Sequence, residues 1–362
     1  MDTIRRYLLP GLIFQSVIIG GGYATGRELV EFFLPSGPLG GLIGLVIAGI
    51  VFGVVMSAAY EFARVTRSYD YRTFCKHLLG PGWVVYEVAY IALVILILAV
   101  VGSAAGELVA GTFGIAAIIG TVSMMVMVGL LTFYGSEVIS KVLAGWSVLL
   151  YVVYIVLFVI TFVTMGDRIE SVMESASMGD GWMSSGIRYA GYNINLPAVL
   201  FCIVILRTRR EAVGAGFITG AIAIIPALLF YVAMMSQYPQ IGEQPVPALY
   251  LMAQLNIGWL QVIFQIVVFG TFVETGAGLL HSINERIDAQ AHENGRALPR
   301  YARPLVAGVL LLISIYGADA IGIVDLIAKG YGLLTYVFIG VLIIPLLTIG
   351  VWKIIKHPEQ GN

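Results

Sequence analysis

The chain has 362 residues, of which 59% are apolar and only 11% are charged, and its formal net charge is −1. A soluble domain carries about 45–50% apolar and about 25% charged residues, so this composition argues against a water-soluble globule. It also argues against a nucleic-acid partner, because no basic excess is available to neutralise phosphates. We predict an all-α membrane protein whose solvent is the lipid bilayer.

Ten hydrophobic segments follow one another, each near the length of about 20 residues that a membrane-spanning helix needs. We number them spans 1 to 10 in chain order: 8–33, 38–63, 82–110, 113–133, 138–165, 182–206, 211–236, 256–287, 302–317 and 330–355. Basic residues favour the cytoplasmic side of a membrane. With the N-terminus placed inside, every Lys and Arg except Arg27, Arg168, Arg188 and Lys329 falls in a cytoplasmic segment. This pattern predicts ten spans and two cytoplasmic termini.

Span 1 contains a glycine-rich stretch that is unfavourable in a helix. Residues 20–26 read Gly-Gly-Gly-Tyr-Ala-Thr-Gly, and each glycine costs roughly 1 kcal/mol relative to alanine in a helix interior. A break in a spanning helix persists only where protein or a wet cavity satisfies its backbone. We predict a break that restarts near Tyr23 or Ala24, with its free N–H groups facing a carboxylate. The predicted solute-binding residues are Gly20, Gly21, Gly22, Tyr23, Ala24, Thr25 and Gly26.

Span 6 contains a second break. Residues 189–197 read Tyr-Ala-Gly-Tyr-Asn-Ile-Asn-Leu-Pro, and Pro197 suits the first turn of a restarted helix because its missing N–H costs little there. Freed carbonyls at this break are suited to a cation or an ammonium group. The predicted solute-binding residues here are Gly191, Tyr192, Asn193 and Asn195.

The two breaks occupy corresponding positions, since span 1 opens the first set of five spans and span 6 opens the second. Five is odd, so the two sets enter the membrane from opposite sides. Interrupted helices at matching positions are typical of an inverted-repeat transporter with a central binding site. We predict a first repeat over residues 1–166, an external loop over 167–181, and a second repeat with a cytoplasmic tail over 182–362.

Glu274 lies near the middle of span 8, where a carboxylate is costly and therefore suggests a functional role. Two roles are open: it binds a cation, or it carries a proton. A third interpretation makes it a structural partner of Lys141 or Arg27. The sequence indicates no resident cofactor and no metal beyond Na⁺, so Na⁺ or H⁺ is the expected coupling ion.

Three further charges lie near the outer ends of spans. Arg27 and Glu28 follow the first break by about a turn, and Glu107 lies toward the outer end of span 3. We expect them to line an outer vestibule or to form gate pairs with Lys329, Asp319 or Asp325. Ordinary salt bridges near the membrane surface are the alternative.

The stretch from Gly20 to Leu29, followed by Phe32-Phe33, resembles the first-helix signature of bacterial YkvI-type membrane proteins, which reads roughly GAGFASGQE…FF. The stretch from Gly102 to Glu107 and the pair Tyr192-Asn193 look like the third- and sixth-helix patterns of that family. Those proteins are similar to the amino acid–polyamine–organocation superfamily, which has the leucine-transporter fold. The resemblance implies a substrate between broken helices 1 and 6 and a sodium site between helices 1 and 8.

The resemblance places Glu274 and Thr275 where sodium-coupled relatives carry hydroxyl ligands on helix 8. A glutamate departs from that pattern and favours proton coupling or a charged-pair substitute. Arg27 stands where the signature has glutamine, which favours an anionic or acidic substrate.

These features predict a secondary transporter in the bacterial cytoplasmic membrane. We expect it to move an amino acid or a similar small zwitterion by alternating access, driven by a Na⁺ or H⁺ gradient. No Walker A, GxSxG or HExxH motif occurs, so the chain is not expected to be an enzyme. The main alternative is a ligand-sensing receptor built on a transporter fold, as in spore germination; an ion channel or an intramembrane enzyme has less support. Solute, transport direction and oligomeric state stay open.

Overall fold

The computed structural model describes residues 2–132, 136–176, 178–293 and 302–356, and within these ranges the chain forms helices and no strand. Span 1 consists of α1 (Asp2–Ile18), the single turn α2 (Gly21–Ala24) and α3 (Arg27–Phe33). The rest of the first half comprises α4 (Gly37–Thr66), α5 (Tyr71–Leu79), α6 (Trp83–Phe113), α7 (Ala117–Leu131) and α8 (Ser136–Glu174). Helices α4, α6, α7 and α8 are spans 2 to 5.

The second half begins with the broken span 6. Its helices are α9 (Trp182–Asn193), α10 (Pro197–Leu200), α11 (Arg209–Met235), α12 (Pro247–Leu255), α13 (Gly258–Glu293), α14 (Ala302–Ile321), α15 (Ile323–Asp325), α16 (Gly332–Phe338) and α17 (Val351–Lys356). Helices α11, α13 and α14 are spans 7 to 9. Span 10 runs from α15 to α17 and includes π-helical turns such as Leu326–Tyr331.

The predicted multi-pass membrane architecture is confirmed. Within the described residues, six helices are long and apolar enough to cross a membrane, and two shorter apolar helices, Ala117–Leu131 and Pro304–Gly317, accompany them. The broken spans 1 and 6 complete the ten. Apolar side chains such as Phe162, Ile266 and Leu312 are more than half exposed on the outside of the bundle. Such a surface requires lipid around it.

Contacts between the spans repeat in the pattern that a 5+5 arrangement produces. Span 1 packs on span 7, and span 6 packs reciprocally on span 2, as α1 with α11 and α9 with α4. Span 1 likewise meets span 5, and span 6 meets span 10. Span 3 contacts span 9, and span 8 contacts span 4. Each pair maps onto its partner when every span is exchanged for the one five places away (1 with 6, 2 with 7, and so on), so the two halves are structural repeats.

Two short helices between spans were not predicted. Helix α5 is amphipathic and buries Tyr71 and Phe74, and the side chain of Asp70 caps its N-terminus by accepting from the Thr73 backbone N–H at 2.9 Å. Helix α12 lies between spans 7 and 8, and the N–H of Ala248 donates to the carbonyl of Thr25 at 2.9 Å. This bond fastens α12 to the first break.

The predicted external loop over residues 167–181 is wrong for its first half, since α8 continues beyond a kink at Met165 as far as Glu174. Ile169 explains the continuation because its side chain is only 3% exposed and is anchored in the protein. Acidic residues on the other faces of this extension are exposed. Because the stretch is mostly polar, its composition did not predict a helix that packs on one side.

Candidate functional site

The first break departs from a helix over residues 19–26. Ile19 and Gly20 leave the α1 geometry, α2 forms one turn, and Gly26 takes a φ of +83°. That left-handed conformation suits glycine and ends a right-handed helix. Regular helix therefore resumes at Arg27, later than the predicted restart near Tyr23 or Ala24.

The second break is a tight turn centred on Ile194. Its φ of −73° and ψ of 71° define an inverse γ-turn, and the N–H of Asn195 donates to the carbonyl of Asn193 at 2.7 Å. Helix α10 then begins with Pro197 in its first turn, so the prediction for Pro197 is confirmed. The turn leaves Asn193 and Asn195 buried beside an interrupted backbone.

Glu28 joins the two breaks. Its side chain packs directly on Gly22, where an added Cβ atom would collide with the carboxylate. The same carboxylate faces the hydroxyls of Tyr189 and Tyr192 and the amide of Asn193 on α9. Glu28 is 3% exposed, and its Oε2 has no hydrogen-bond partner among the described residues. Glu28 therefore lies at the centre of the protein, deeper than the predicted vestibule.

The groups that face Glu28 are also incompletely bonded. The hydroxyls of Tyr189 and Tyr192 and the amide of Asn193 approach the Glu28 carboxylate without reaching strict hydrogen-bond geometry, and neither amide atom of Asn195 has a partner within the described ranges. More than 90% of buried polar groups in proteins are hydrogen-bonded. The loosely paired polar atoms at Glu28 and at the second break are candidate contacts for a ligand.

Aromatic rings line the same site. Tyr192 stacks on Tyr331 of span 10 at a centroid distance of 4.3 Å, and Phe32 lies 5.4 Å from Tyr192 and 5.7 Å from Tyr189. Beyond Phe32 lies a cavity of about 150 Å³ whose lining includes Glu31 and Arg188. Phe32 therefore borders this cavity and also packs on the two tyrosines that face Glu28.

Three residues at this site were not predicted: Tyr189, Tyr331 and Phe32. Tyr189 was available within the second break, and Phe32 follows Glu28 by one helical turn, so both carried a local signal. The only local signal at Tyr331 was the pair of glycines on either side of it.

Arg27, the basic residue next to Glu28 in sequence, points away from it. Arg27 donates to the carbonyls of Gly242 and Gln244 and pairs with Glu31 at 3.0 Å. Adjacent helical residues point about 100° apart, which explains why Arg27 and Glu28 diverge. The vestibule role of Arg27 stays a prediction.

The predicted gate pairing of Glu28 with Lys329 is wrong, because Lys329 pairs with Asp325 on the surface at 3.1 Å. The Asp319 side chain lies outside the described residues. Glu107 is exposed on α6 and has no described interaction with either break.

A second polar cluster lies where span 8 meets the end of α1. The hydroxyl of Thr275 donates to the carbonyl of Ser16 at 3.0 Å and lies 3.5 Å from that of Ile19. Gly20 allows this approach, because a Cβ atom added there would lie only 3.1 Å from the Thr275 Cγ2. Spans 1 and 8 thus meet at Thr275, as the resemblance implied.

Glu274 adjoins this cluster. It is 2% exposed, the side chain of Ser16 lies within hydrogen-bonding reach, and Oε1 has no partner among the described residues. Lys141 is exposed on α8, and Arg27 is bonded elsewhere. The described contacts of Glu274 include Ser16 and neither cation, and its functional role stays a prediction.

Several predicted solute-binding residues make structural contacts, and their binding role stays a prediction. The hydroxyl of Tyr23 donates to the carbonyl of Ala223 at 3.2 Å and so anchors the break to α11. Gly191 faces span 10, where its Cβ position would lie 3.0 Å from Thr335. Within the first break, Gly21 begins α2, the Ala24 carbonyl accepts from Tyr154, and the Thr25 hydroxyl donates to the Gly22 carbonyl at 3.1 Å.

Ten spans in two structural repeats, with spans 1 and 6 broken at the centre, define the leucine-transporter fold. Comparison with known proteins agrees. No protein-family model matches the chain. It is 23% identical over 344 residues to the uncharacterized membrane protein YkvI of Bacillus subtilis (strain 168), covering 91% of this chain and 93% of that protein.

Solved structures with the same fold come from several transporters. A Na⁺-coupled sialic acid symporter in a substrate-bound, outward-open state has a TM-score of 0.70 at 14% identity, covering 92% of this chain and 78% of its own. MhsT in complex with L-phenylalanine has a TM-score of 0.63 at 15% identity and 97% coverage of both chains. The Eremococcus coleocola manganese transporter has a TM-score of 0.62 at 16% identity, covering 97% of this chain and 84% of its own. At these identities, the likeness shows the fold alone.

Proposed function

We propose that the protein is a secondary active transporter that moves an amino acid or a similar small zwitterion across the bacterial cytoplasmic membrane by alternating access. The observation that carries the proposal is the meeting of both helix breaks at the buried carboxylate of Glu28. A small solute between the breaks would complete the unpaired polar groups around it. Two of the solved structures support a small organic solute: one is a sialic acid symporter, and the other, MhsT, is in complex with L-phenylalanine.

In this proposal Glu28 receives the ammonium group of the solute. A buried carboxylate without a cationic partner is costly, and an ammonium group would offset that cost. The amide nitrogens of Asn193 and Asn195 are donors for a solute carboxylate. The predicted carboxylate at the restart of span 1 is therefore replaced by an ammonium group, because Glu28 itself occupies the first turn of α3.

Glu274 and Thr275 are the proposed coupling site. Carboxylate, hydroxyl and carbonyl oxygens are ligands for a hard cation such as Na⁺, and the carboxyl group alone suffices for a proton. The site contacts the end of α1, so its occupancy would influence the first break. The Na⁺-coupled sialic acid symporter supports a coupling ion, and the choice between Na⁺ and H⁺ is left to experiment.

The proposed topology places both termini in the cytoplasm. It rests on the distribution of Lys and Arg, which are concentrated in alternate connections. The proposed repeats are residues 1–166 and 182–362, with the connection over 167–181 on the outside. Helix α9 and α3 then lie in the outer half, and the cavity beyond Phe32 opens outward.

Two measurements in sequence test the proposal. Thermal-shift screening of the purified protein with amino acids and simple amines, with and without Na⁺ and across pH, identifies the solute. The reconstituted protein should then concentrate that solute in liposomes under a Na⁺ or H⁺ gradient, and an ionophore should abolish accumulation. Stabilisation by a solute without flux in sealed liposomes would indicate a receptor, and conversion of the solute in detergent would indicate an enzyme.

The contact between Gly22 and Glu28 gives a mutational test of the site. Gly22→Ala places a methyl group against the carboxylate, so we expect affinity for the identified solute to fall by about tenfold or more, equivalent to roughly 1.4 kcal/mol. Gly145→Ala is the matched control, because no atom of the described residues lies within 4 Å of its Cβ position. Solute titration by isothermal calorimetry measures both. Equal affinities in the two variants would remove Gly22 and Glu28 from the site.

A further inference from the structure

A second cavity, separate from both breaks, opens on the lipid-facing surface between spans 3, 4, 5 and 8. It has a volume of about 450 Å³, within the range of pockets that hold small ligands. Its lining includes Val109 and Phe113 of α6, Met127 of α7, Trp146 of α8, and Gln265 and Gly270 of α13. None of the described residues that line it is charged, so it does not suit an ionic ligand.

Trp146 and Gly270 form the inner wall of this cavity. The indole Nε1 of Trp146 donates to the carbonyl of Val267 at 3.1 Å, which fixes the ring against α13. The ring lies so close to Gly270 that an added Cβ atom would collide with it. The inner wall of the cavity is therefore a ring held in one position against α13.

Gln265 and Thr112 supply polar side chains to this mostly apolar lining, and the Thr112 hydroxyl already donates to the Leu108 carbonyl at 2.7 Å. The Gln265 side chain is 6% exposed, and its Nε2 has no hydrogen-bond partner among the described residues. Leaving a buried donor unpaired costs about 1–3 kcal/mol. The cavity thus requires an apolar ligand that carries an uncharged acceptor.

The bilayer supplies a ligand of that description. Phe113 and Ile266 at the rim are 71% and 61% exposed on the surface that faces lipid. Gln265 lies about two turns, or roughly 10 Å, from the start of α13, near the depth where the hydrocarbon core gives way to the interface. An ester-linked phospholipid places a carbonyl acceptor and an alkyl chain together at that depth.

We infer that this cavity is a binding site for one acyl chain of an ester-linked phospholipid, whose ester carbonyl accepts a hydrogen bond from Gln265 Nε2. The inference is independent of the proposed transport function. The occupant would contact α13 one turn before Glu274, so the site gives the surrounding lipid direct contact with the helix that carries the buried carboxylate.

Fluorescence quenching of Trp146 tests the site. Phe is substituted for Trp83, Trp182, Trp259 and Trp352, and the protein is placed in nanodiscs of dialkyl phosphatidylcholine with increasing amounts of a diacyl phosphatidylcholine brominated in one chain. Half-maximal quenching of Trp146 should occur at a brominated-lipid fraction about fivefold lower than for a control that retains only Trp259, which is 58% exposed. One neutral hydrogen bond, worth about 1 kcal/mol, supplies that factor.

Gln265→Leu in the Trp146 protein should raise the half-maximal fraction to that of the Trp259 control. Equal fractions for Trp146 and Trp259 before that substitution would show ordinary surrounding lipid and overturn the inference.

Native mass spectrometry of the chain with all its tryptophans avoids the multiple substitutions. Released from nanodiscs with equal amounts of diacyl and dialkyl lipid, the protein should retain the diacyl form preferentially, and Gln265→Leu should remove the preference. Equal retention of the two lipids by the unsubstituted chain would contradict the inference.

Discussion

Glu28→Gln is expected to lower affinity for the transported solute by more than about 100-fold and to abolish uptake. Removing one member of a buried charge pair costs about 3–5 kcal/mol, which corresponds to a factor of that size. The substitution preserves the shape of the side chain against Gly22 and removes the negative charge that faces Tyr189, Tyr192 and Asn193. Isothermal calorimetry with the identified solute, followed by uptake into liposomes, measures both effects.

Thermal unfolding of the solute-free protein separates this role from a structural one. A buried carboxylate with no cationic partner destabilises the empty protein, so Glu28→Gln should unfold at the same or a higher temperature while binding is lost. A large fall in the unfolding temperature would instead make Glu28 a structural residue. Uptake at the normal rate in Glu28→Gln would contradict the proposed ammonium site.

Glu107→Gln is the matched control for this substitution. It makes the same chemical change on α6, where the side chain is exposed and remote from the described contacts of the breaks. We expect unchanged solute affinity. A loss comparable to that of Glu28→Gln would restore the vestibule role that the sequence predicted for Glu107.

The spans and breaks were predictable because their causes are local. A run of about 20 apolar residues is required to span the bilayer wherever the segment packs, and Gly20 to Gly22 and Pro197 disfavour a continuous helix in any context. The kinked extension of α8 was missed because only Ile169, Val172 and Met173 pack inward there, among charged neighbours. Their i, i+3, i+4 spacing is a helical signal, which the charged composition of residues 167–174 obscured.

The composition of the central site was less predictable because it depends on how helices rotate about their axes. Arg27 and Glu28 are neighbours in sequence, yet one bonds to the connection before α12 and the other faces α9. Tyr331 reaches Tyr192 from the far end of the chain. Residues 20–26 and 191–195 lie at two breaks as predicted, but packing sets which side chains face inward. The Glu28 carboxylate faces α9, whereas the Tyr23 hydroxyl bonds to α11 and Gly191 faces span 10.

Glu274→Gln is expected to abolish gradient-driven accumulation while solute binding and solute exchange persist. The carboxyl group lies beside the Ser16 side chain at the end of α1 and outside the contacts of Glu28, so its removal should uncouple transport without emptying the solute site. Counterflow in liposomes without an ion gradient measures exchange, and uptake with a gradient measures coupling. Glu285→Gln, further along α13 and partly exposed, should leave both rates unchanged.

Thr275→Val identifies the ion that Glu274 serves. The hydroxyl of Thr275 lies 3.0 Å from the Ser16 carbonyl, and this pair of oxygens would ligate Na⁺, whereas a proton needs only the carboxyl group. If Na⁺ is the coupling ion, both Thr275→Val and Glu274→Gln should remove Na⁺-driven uptake. If H⁺ is the coupling ion, Thr275→Val should retain pH-driven uptake and Glu274→Gln should not. Full accumulation in Glu274→Gln under both gradients would exclude this carboxylate from coupling, since no proton or cation would then depend on its charge.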